Sequence, residues 1–98
     1  QLGALLLDVD ASTASMGEQP LNLQRLEYRL LEFLMRNIGR TYTAEALLDR
    51  VWPADSEASV ETVRGYIKTL RKKLSAAGPK PAIRNIYGLG YKIDLSEQ

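Results

Sequence analysis

The spacing of apolar residues changes character twice along the chain. Residues 1–22 hold short apolar stretches without a helical period. Within them "ALLLD" reads as a buried strand, "STASM" as a second and "GEQP" as a turn. "LNL" reads as a further short strand, completing a small antiparallel sheet. From Gln24 the period becomes helical. Leu26, Leu30, Phe33, Leu34 and Ile38 form one stripe, and Tyr28, Leu31 and Met35 a second. An apolar surface that wide predicts a helix over 24–37 packed on two sides, with Gly39 as its stop. Thr41 and Tyr42 suggest a short strand. Thr43 is placed to cap a helix over 44–52, with Glu45 in its first turn and Leu47, Leu48 and Val51 inward; Pro53 ends it. Ser59 is placed to cap a third helix over 60–76, with Glu61 in its first turn, and "GPKP" stops it. The period then returns to that of strands. "AIRNI", "YGLG" and "YKIDL" predict a β-hairpin over 82–95 with glycines in its turn.

Composition narrows the function. The 98 residues, 45% apolar, suit one domain around one core. There is no cysteine, which excludes disulfides, thiolate metal sites and a cysteine nucleophile. There is no histidine, which removes the commonest general base and the commonest transition-metal ligand. No paired-acid motif stands out, so the expectation is a chain that is not an enzyme and takes no cofactor or metal. No apolar run approaches the roughly 20 residues of a membrane span, and no secretory signal opens the chain. A cytoplasmic location without a membrane partner is expected. The start at Gln1 suggests a fragment or a processed product.

Charge is unevenly distributed. Residues 1–58 carry five basic and nine acidic side chains, whereas residues 59–98 carry eight basic and three acidic ones. Such asymmetry suggests a face made for a polyanion. It concentrates in "SVETVRGYIKTLRKKL", residues 59–74, with five basic groups and one acid. At roughly 100° per residue, Val60, Val63, Ile67, Leu70 and Leu74 fall within roughly 80° of one another, a face for burial. Glu61, Gly65, Lys68, Thr69 and Lys72 lie opposite. Arg64 and Arg71 share one flank; Thr62, Tyr66 and Lys73 share the other. A helix of this kind fits the B-DNA major groove, where flanking cations and hydroxyls hold phosphates. A solvated amphipathic helix is the plain alternative, but its lysines would usually be balanced by glutamates at helical spacing.

Helix–turn–helix followed by a hairpin is a winged helix. The segments "RLEYRLLEFLMRNIGRTYTAEALLDRVW", "TVRGYIKTLRKKL" and "IRNIYGLGYKI", at this separation, resemble the C-terminal effector domain of OmpR/PhoB-type response regulators. The resemblance covers residues 23–93. It implies an α+β winged helix-turn-helix with an N-terminal four-stranded sheet over 1–22, three helices and a C-terminal wing. It also implies sequence-specific binding of double-stranded DNA at tandem half-sites, the third helix in the major groove and the wing in the minor groove. A phosphorylated receiver domain belongs to full-length members and is absent from this chain.

Carried over by position, the resemblance implies that Thr62, Tyr66, Lys68 and Arg71 hold phosphates, beside Lys72. It places Arg64, Gly65 and Thr69 near base edges, the Trp52 indole N–H on a phosphate, and Arg84, Asn85, Tyr87 and Tyr91 in the wing contact. The loop Pro53, Ala54, Asp55, Ser56, Glu57, Ala58 matches a loop that meets RNA polymerase in some members. A plain helix–helix connector is the other reading of that loop. Three positions depart from the family. Thr69 stands where arginine is frequent, Glu61 where a basic residue is frequent, and Tyr87 where an arginine can enter the minor groove. They leave the target sequence open. The competing function is a winged-helix module that binds a protein without specific DNA binding.

Overall fold

The computed structural model describes residues 1–78 and 80–95. Three strands open the chain: β1 (Leu5–Asp8), β2 (Thr13–Met16) and β3 (Gln19–Leu21), antiparallel in sequential order. Their inner face contributes Leu5, Ala14 and Met16 to the core. Three helices follow, α1 (Arg25–Arg36), α2 (Ala44–Val51) and α3 (Val60–Ala77), then the hairpin β4 (Ala82–Ile86) and β5 (Gly90–Asp94). The core is a single cluster. Leu30, Leu31 and Leu34 of α1 meet Leu47 and Val51 of α2, Val63, Ile67, Leu70 and Leu74 of α3, and Ile83 and Ile93 of the hairpin.

Several expectations need correction. The N-terminal sheet has three strands among the described residues, not four; before β1 there is only an isolated Leu2–Leu5 bridge. The turn is confined to Gly17 and Glu18, because Met16 already pairs with Gln19. Gly17, at φ 60°, supplies the positive first dihedral that such a two-residue turn requires. The third strand is thus Gln19–Leu21 instead of "LNL". Pro20 is tolerated there because β3 is an edge strand. Gln24 and Asn37 are caps of α1 and not members of it, so the expected 24–37 shortens at both ends. Ile38, past that cap, leaves the helical stripe and is 45% exposed. Trp52 is the extended C-cap of α2, one residue short of the expected end, and α3 runs one residue past 76. The hairpin pairs Ala82 through Asp94, leaving Leu95 outside it. Pro79, within the expected stop after α3, lies outside the described residues.

Local chemistry sets the helix starts as expected. The Thr43 hydroxyl accepts from Ala46 N–H at 3.0 Å. Ser59 and Thr62 cap α3 reciprocally: Thr62 N–H donates to Ser59 Oγ at 3.3 Å, and Ser59 N–H donates to Thr62 Oγ1 at 3.2 Å.

The α1–α2 connector lies along the free edge of β5. Gly39 N–H donates to the Ile93 carbonyl at 3.0 Å, Tyr42 N–H to the Tyr91 carbonyl at 2.8 Å and Tyr91 N–H to the Tyr42 carbonyl at 2.7 Å. The expected strand at Thr41–Tyr42 is this single bridge. Gly90 makes the approach possible. Its φ is +131°, and a Cβ there would overlap the Tyr42 carbonyl and lie 2.8 Å from the Thr43 nitrogen. Edge-on contact of Phe33 with Tyr42, centroids 4.9 Å apart, ties the same connector to α1.

Candidate nucleic-acid interface

Helix α3 is anchored along one side and open along the other. Val63, Ile67, Leu70 and Leu74 are buried, each contributing roughly 1.5–3 kcal/mol by leaving water. Arg64, Gly65, Lys68, Thr69, Arg71 and Lys72 are exposed, and Thr62 and Tyr66 half-buried, as the helical wheel predicts. Lys68, Arg71 and Lys72 make no hydrogen bond or ion pair with the described residues. Together they line one wall of a groove whose other wall is Pro81, Ala82 and Ile83, so the helix and the start of the wing share a cationic edge.

The other cations of α3 and those of β4 and β5 are committed. Lys73 donates to the Glu27 carboxylate at 2.7 Å and to the Asn22 carbonyl at 2.8 Å, turning away from the open face. Arg84 and Lys92 sit directly opposite on β4 and β5, where like charges destabilise. Asp94 lies 3.3 Å from Arg84 and 3.4 Å from Lys92, bridging the two cations and offsetting part of their repulsion. Arg84 is therefore placed as an intramolecular ion-pair partner and not as a freely offered wing cation. Arg64 is bonded to Glu61 at 2.7 Å.

Hydroxyls are also engaged. Thr62 Oγ1 belongs to the α3 cap. Thr69 Oγ1 donates to the Gly65 carbonyl at 3.1 Å, satisfying its proton within the helix. Gly65 faces open space: a methyl group added at its Cα would meet no atom within 4 Å. Trp52 is 5% exposed, its ring edge-on to Tyr66 with centroids 5.4 Å apart. It fixes the first turns of α3 against the end of α2.

In the wing, Tyr87 is 99% exposed at the tip, and Asn85 is exposed. Tyr91 is half-buried by its bridge to Tyr42. Arg64 shares a cleft with Asn85, Tyr87 and Tyr91, so the structure brings the N-terminal half of α3 and the wing tip to one surface. The loop Pro53–Ala58 is separate. Ser56 N–H donates to the Pro53 carbonyl and Ala58 N–H to the Ser56 hydroxyl, both at 3.0 Å. Its Asp55 and Glu57 are exposed, and Pro53, Ala54, Ser56 and Ala58 border a cleft with Glu45, Asp49 and Trp52.

Glu27 was not legible as a site residue. It is 2% exposed, accepts from Gln24 N–H at 2.8 Å and pairs with Lys73, so it fastens α1, the β3–α1 linker and α3 together. Its position three residues after Gln24 at a helix start was the available signal. The described residues contain no cluster of three potential metal ligands and no helix long and apolar enough to cross a membrane.

Three helices with a hairpin beside the third define a winged helix-turn-helix domain. The chain belongs to the family "Transcriptional regulatory protein, C terminal", whose model matches residues 18–93. It is 37% identical over 95 residues to the sensory transduction protein RegX3 of Mycolicibacterium smegmatis, covering 96% of this chain and 42% of that protein. Its fold matches the DNA-binding domain of the response regulator AdeR, solved in complex with an intercistronic region. The TM-score is 0.86 at 26% identity, covering 98% of this chain and 99% of that one. It also matches the response regulator DrrB of Thermotoga maritima, an OmpR/PhoB homologue, with TM-score 0.81 at 29% identity, covering 96% of this chain and 43% of that one. The expected OmpR/PhoB-type resemblance is borne out, and the chain spans less than half the length of RegX3 and DrrB.

Proposed function

We propose that this domain is the output module of a two-component response regulator and binds double-stranded DNA sequence-specifically to control transcription. The observation that carries this is the pairing on α3 of a fully buried apolar face with an exposed face whose Lys68, Arg71 and Lys72 have no partner among the described residues. Unbalanced cations along the exposed face of a helix suit phosphates on either side of a major groove. In this reading Thr62, Tyr66, Lys68, Arg71 and Lys72 serve the backbone. Arg64, Gly65 and Thr69 face base edges, and Asn85, Tyr87 and Tyr91 meet the adjacent minor groove. The Trp52 ring is mainly a support for Tyr66. Arg84 contributes only by exchanging its bond to Asp94 for one to phosphate.

The work of such a domain is binding, not catalysis, and belongs to the cytoplasm. A receiver domain in the full-length protein would control it. Asp55 and Glu57, exposed on the α2–α3 loop, suit a contact with RNA polymerase. Two copies would occupy tandem half-sites with centres roughly one helical turn apart.

The test is selection of bound sequences from a random duplex pool, followed by gel shifts on the selected duplex and on scrambled duplex. Recovery of a repeated half-site, with cooperative occupancy lost on inserting about five base pairs between repeats, is the expected result. Equal affinity for selected and scrambled duplex would favour the protein-binding alternative.

A further inference from the structure

We propose that Glu61 is a positioning residue for base readout, orienting the Arg64 guanidinium toward a guanine and withdrawing its charge from phosphate. The inference rests on the DNA-binding reading above. Ser59 fixes the start of α3, so Glu61 lies in its first turn, where the helix dipole favours a carboxylate. Glu61 Oε2 accepts from Arg64 Nη1 at 2.7 Å, while the two side chains remain 80% and 51% exposed. A pair this exposed contributes little to folding. Its effect is on direction and charge.

The geometry leaves Arg64 usable. Arginine has five N–H donors in a planar fork, and the structure shows one bond to Glu61. The remaining donors can still match guanine O6 and N7. Arg64 also borders the cleft with Asn85 and Tyr87, so its reach is bounded by the wing on one side and Glu61 on the other. The cations without partners among the described residues begin at Lys68, more than a turn farther along. Helix α3 is thus electrically divided. Its N-terminal half is nearly neutral and suited to discrimination, and its C-terminal half is cationic and suited to backbone affinity.

The experiment compares wild type, Arg64→Ala, Glu61→Ala and Glu61→Gln by sequence selection and by titration of selected and scrambled duplex. Melting is monitored in parallel. Wild type should select a guanine that Arg64→Ala no longer distinguishes, a loss of roughly five- to 150-fold in discrimination at that base pair. Replacing that guanine with 7-deazaguanine should weaken wild type but not Arg64→Ala. Glu61→Ala should bind scrambled duplex more tightly, with a salt slope steeper by about one unit, while losing preference for the guanine. Glu61→Gln keeps an acceptor for Arg64, so it should retain more of that preference than Glu61→Ala while also binding scrambled duplex more tightly. An unchanged base profile in Glu61→Ala, with selected and scrambled duplex strengthened equally, would reduce Glu61 to a screening charge and overturn the inference. Failure of wild type to select any duplex would instead overturn the DNA-binding reading.

Discussion

Lys73 and Glu27, 46 positions apart in the chain, meet at 2.7 Å and join the last turns of α3 to the first turn of α1. Glu27 is almost fully buried, so among the described residues this pair is the one place where α3 is held to another helix by charge and not by apolar contact alone. Lys73→Met would leave that carboxylate buried without its counter-charge. A buried pair broken on one side costs about 3–5 kcal/mol, and the partial exposure of Lys73 points to the lower end. The melting temperature should fall by more than about 10 °C. Glu27→Gln, which keeps an acceptor and no charge, should fall by much less. Equal losses in the two variants would show that shape and not charge makes the contact.

The Tyr28 hydroxyl is buried and has no hydrogen-bond partner among the described residues. An unsatisfied buried hydroxyl costs about 1–3 kcal/mol, so Tyr28→Phe should melt at the same temperature as wild type or higher. Burial first, then the Glu32 and Asp8 carboxylates, raise the Tyr28 pKa above its ordinary value, with Arg36 opposing. The neutral phenol is thus favoured in the folded state. Its contribution is complete below about pH 10, the unfolded value, and is lost as pH rises through the folded value. Denaturant unfolding between about pH 9 and 11 should show a shallower alkaline loss for Tyr28→Phe. Identical slopes would contradict this assignment.

Three cations on α3 that have no partner among the described residues set the expected salt dependence. If Lys68, Arg71 and Lys72 each neutralise one phosphate, log affinity should fall against log salt with a slope of about −2.7 per domain. Lys68→Ala should flatten that slope by about 0.9 and weaken selected and scrambled duplex alike. Arg84→Ala should change the slope little, because Asp94 already holds that guanidinium. A larger effect from Arg84 than from Lys68 would move the phosphate contact to the wing.

Gly65 separates stability from binding. A mid-helix glycine costs about 1 kcal/mol relative to alanine, and the space around it is open. Gly65→Val should therefore leave stability equal or slightly raised. Affinity for the selected duplex should drop, because the added branches occupy the surface offered to the groove. A variant as stable as wild type that binds as tightly would place Gly65 away from the DNA.

Two wing glycines with positive φ offer an internal control. Gly88, at φ +77°, has no neighbour within 4 Å of a Cβ position, so Gly88→Ala should cost only backbone strain, about 1–3 kcal/mol. Gly90→Ala adds overlap with the Tyr42 carbonyl. It should be clearly the more destabilising in urea titrations. Equal costs would mean that the connector yields readily.

Local features were legible, and those needing distant partners were not. The capping roles of Thr43 and Ser59, the inward row from Val63 to Leu74 and the hairpin glycines depend on neighbours within a few residues. Glu27 looked like an ordinary polar helix position because its counter-charge lies on another helix. Arg84 reads from sequence as a wing cation, and only the hairpin register brings Asp94 beside it. Gln19 and Pro20 carry turn-like residue types, yet pairing with β2 draws them into a strand. Residue type offers a hydroxyl at Thr69, but its rotamer, bonded back to Gly65, is invisible to sequence spacing.

The contact between Gly90 and Tyr42 has a mechanical consequence. A hairpin on a loose hinge could swing to suit grooves of different width. This one is riveted to the α1–α2 connector by three backbone hydrogen bonds of 2.7–3.0 Å, and at Gly90 no side chain holds the two apart. Such a tie should hold the wing close to one setting relative to the helices. In the DNA-binding reading proposed above, a duplex held by both wing and α3 would have to supply the compliance itself, so base steps that bend or narrow easily should be favoured even where no side chain touches them.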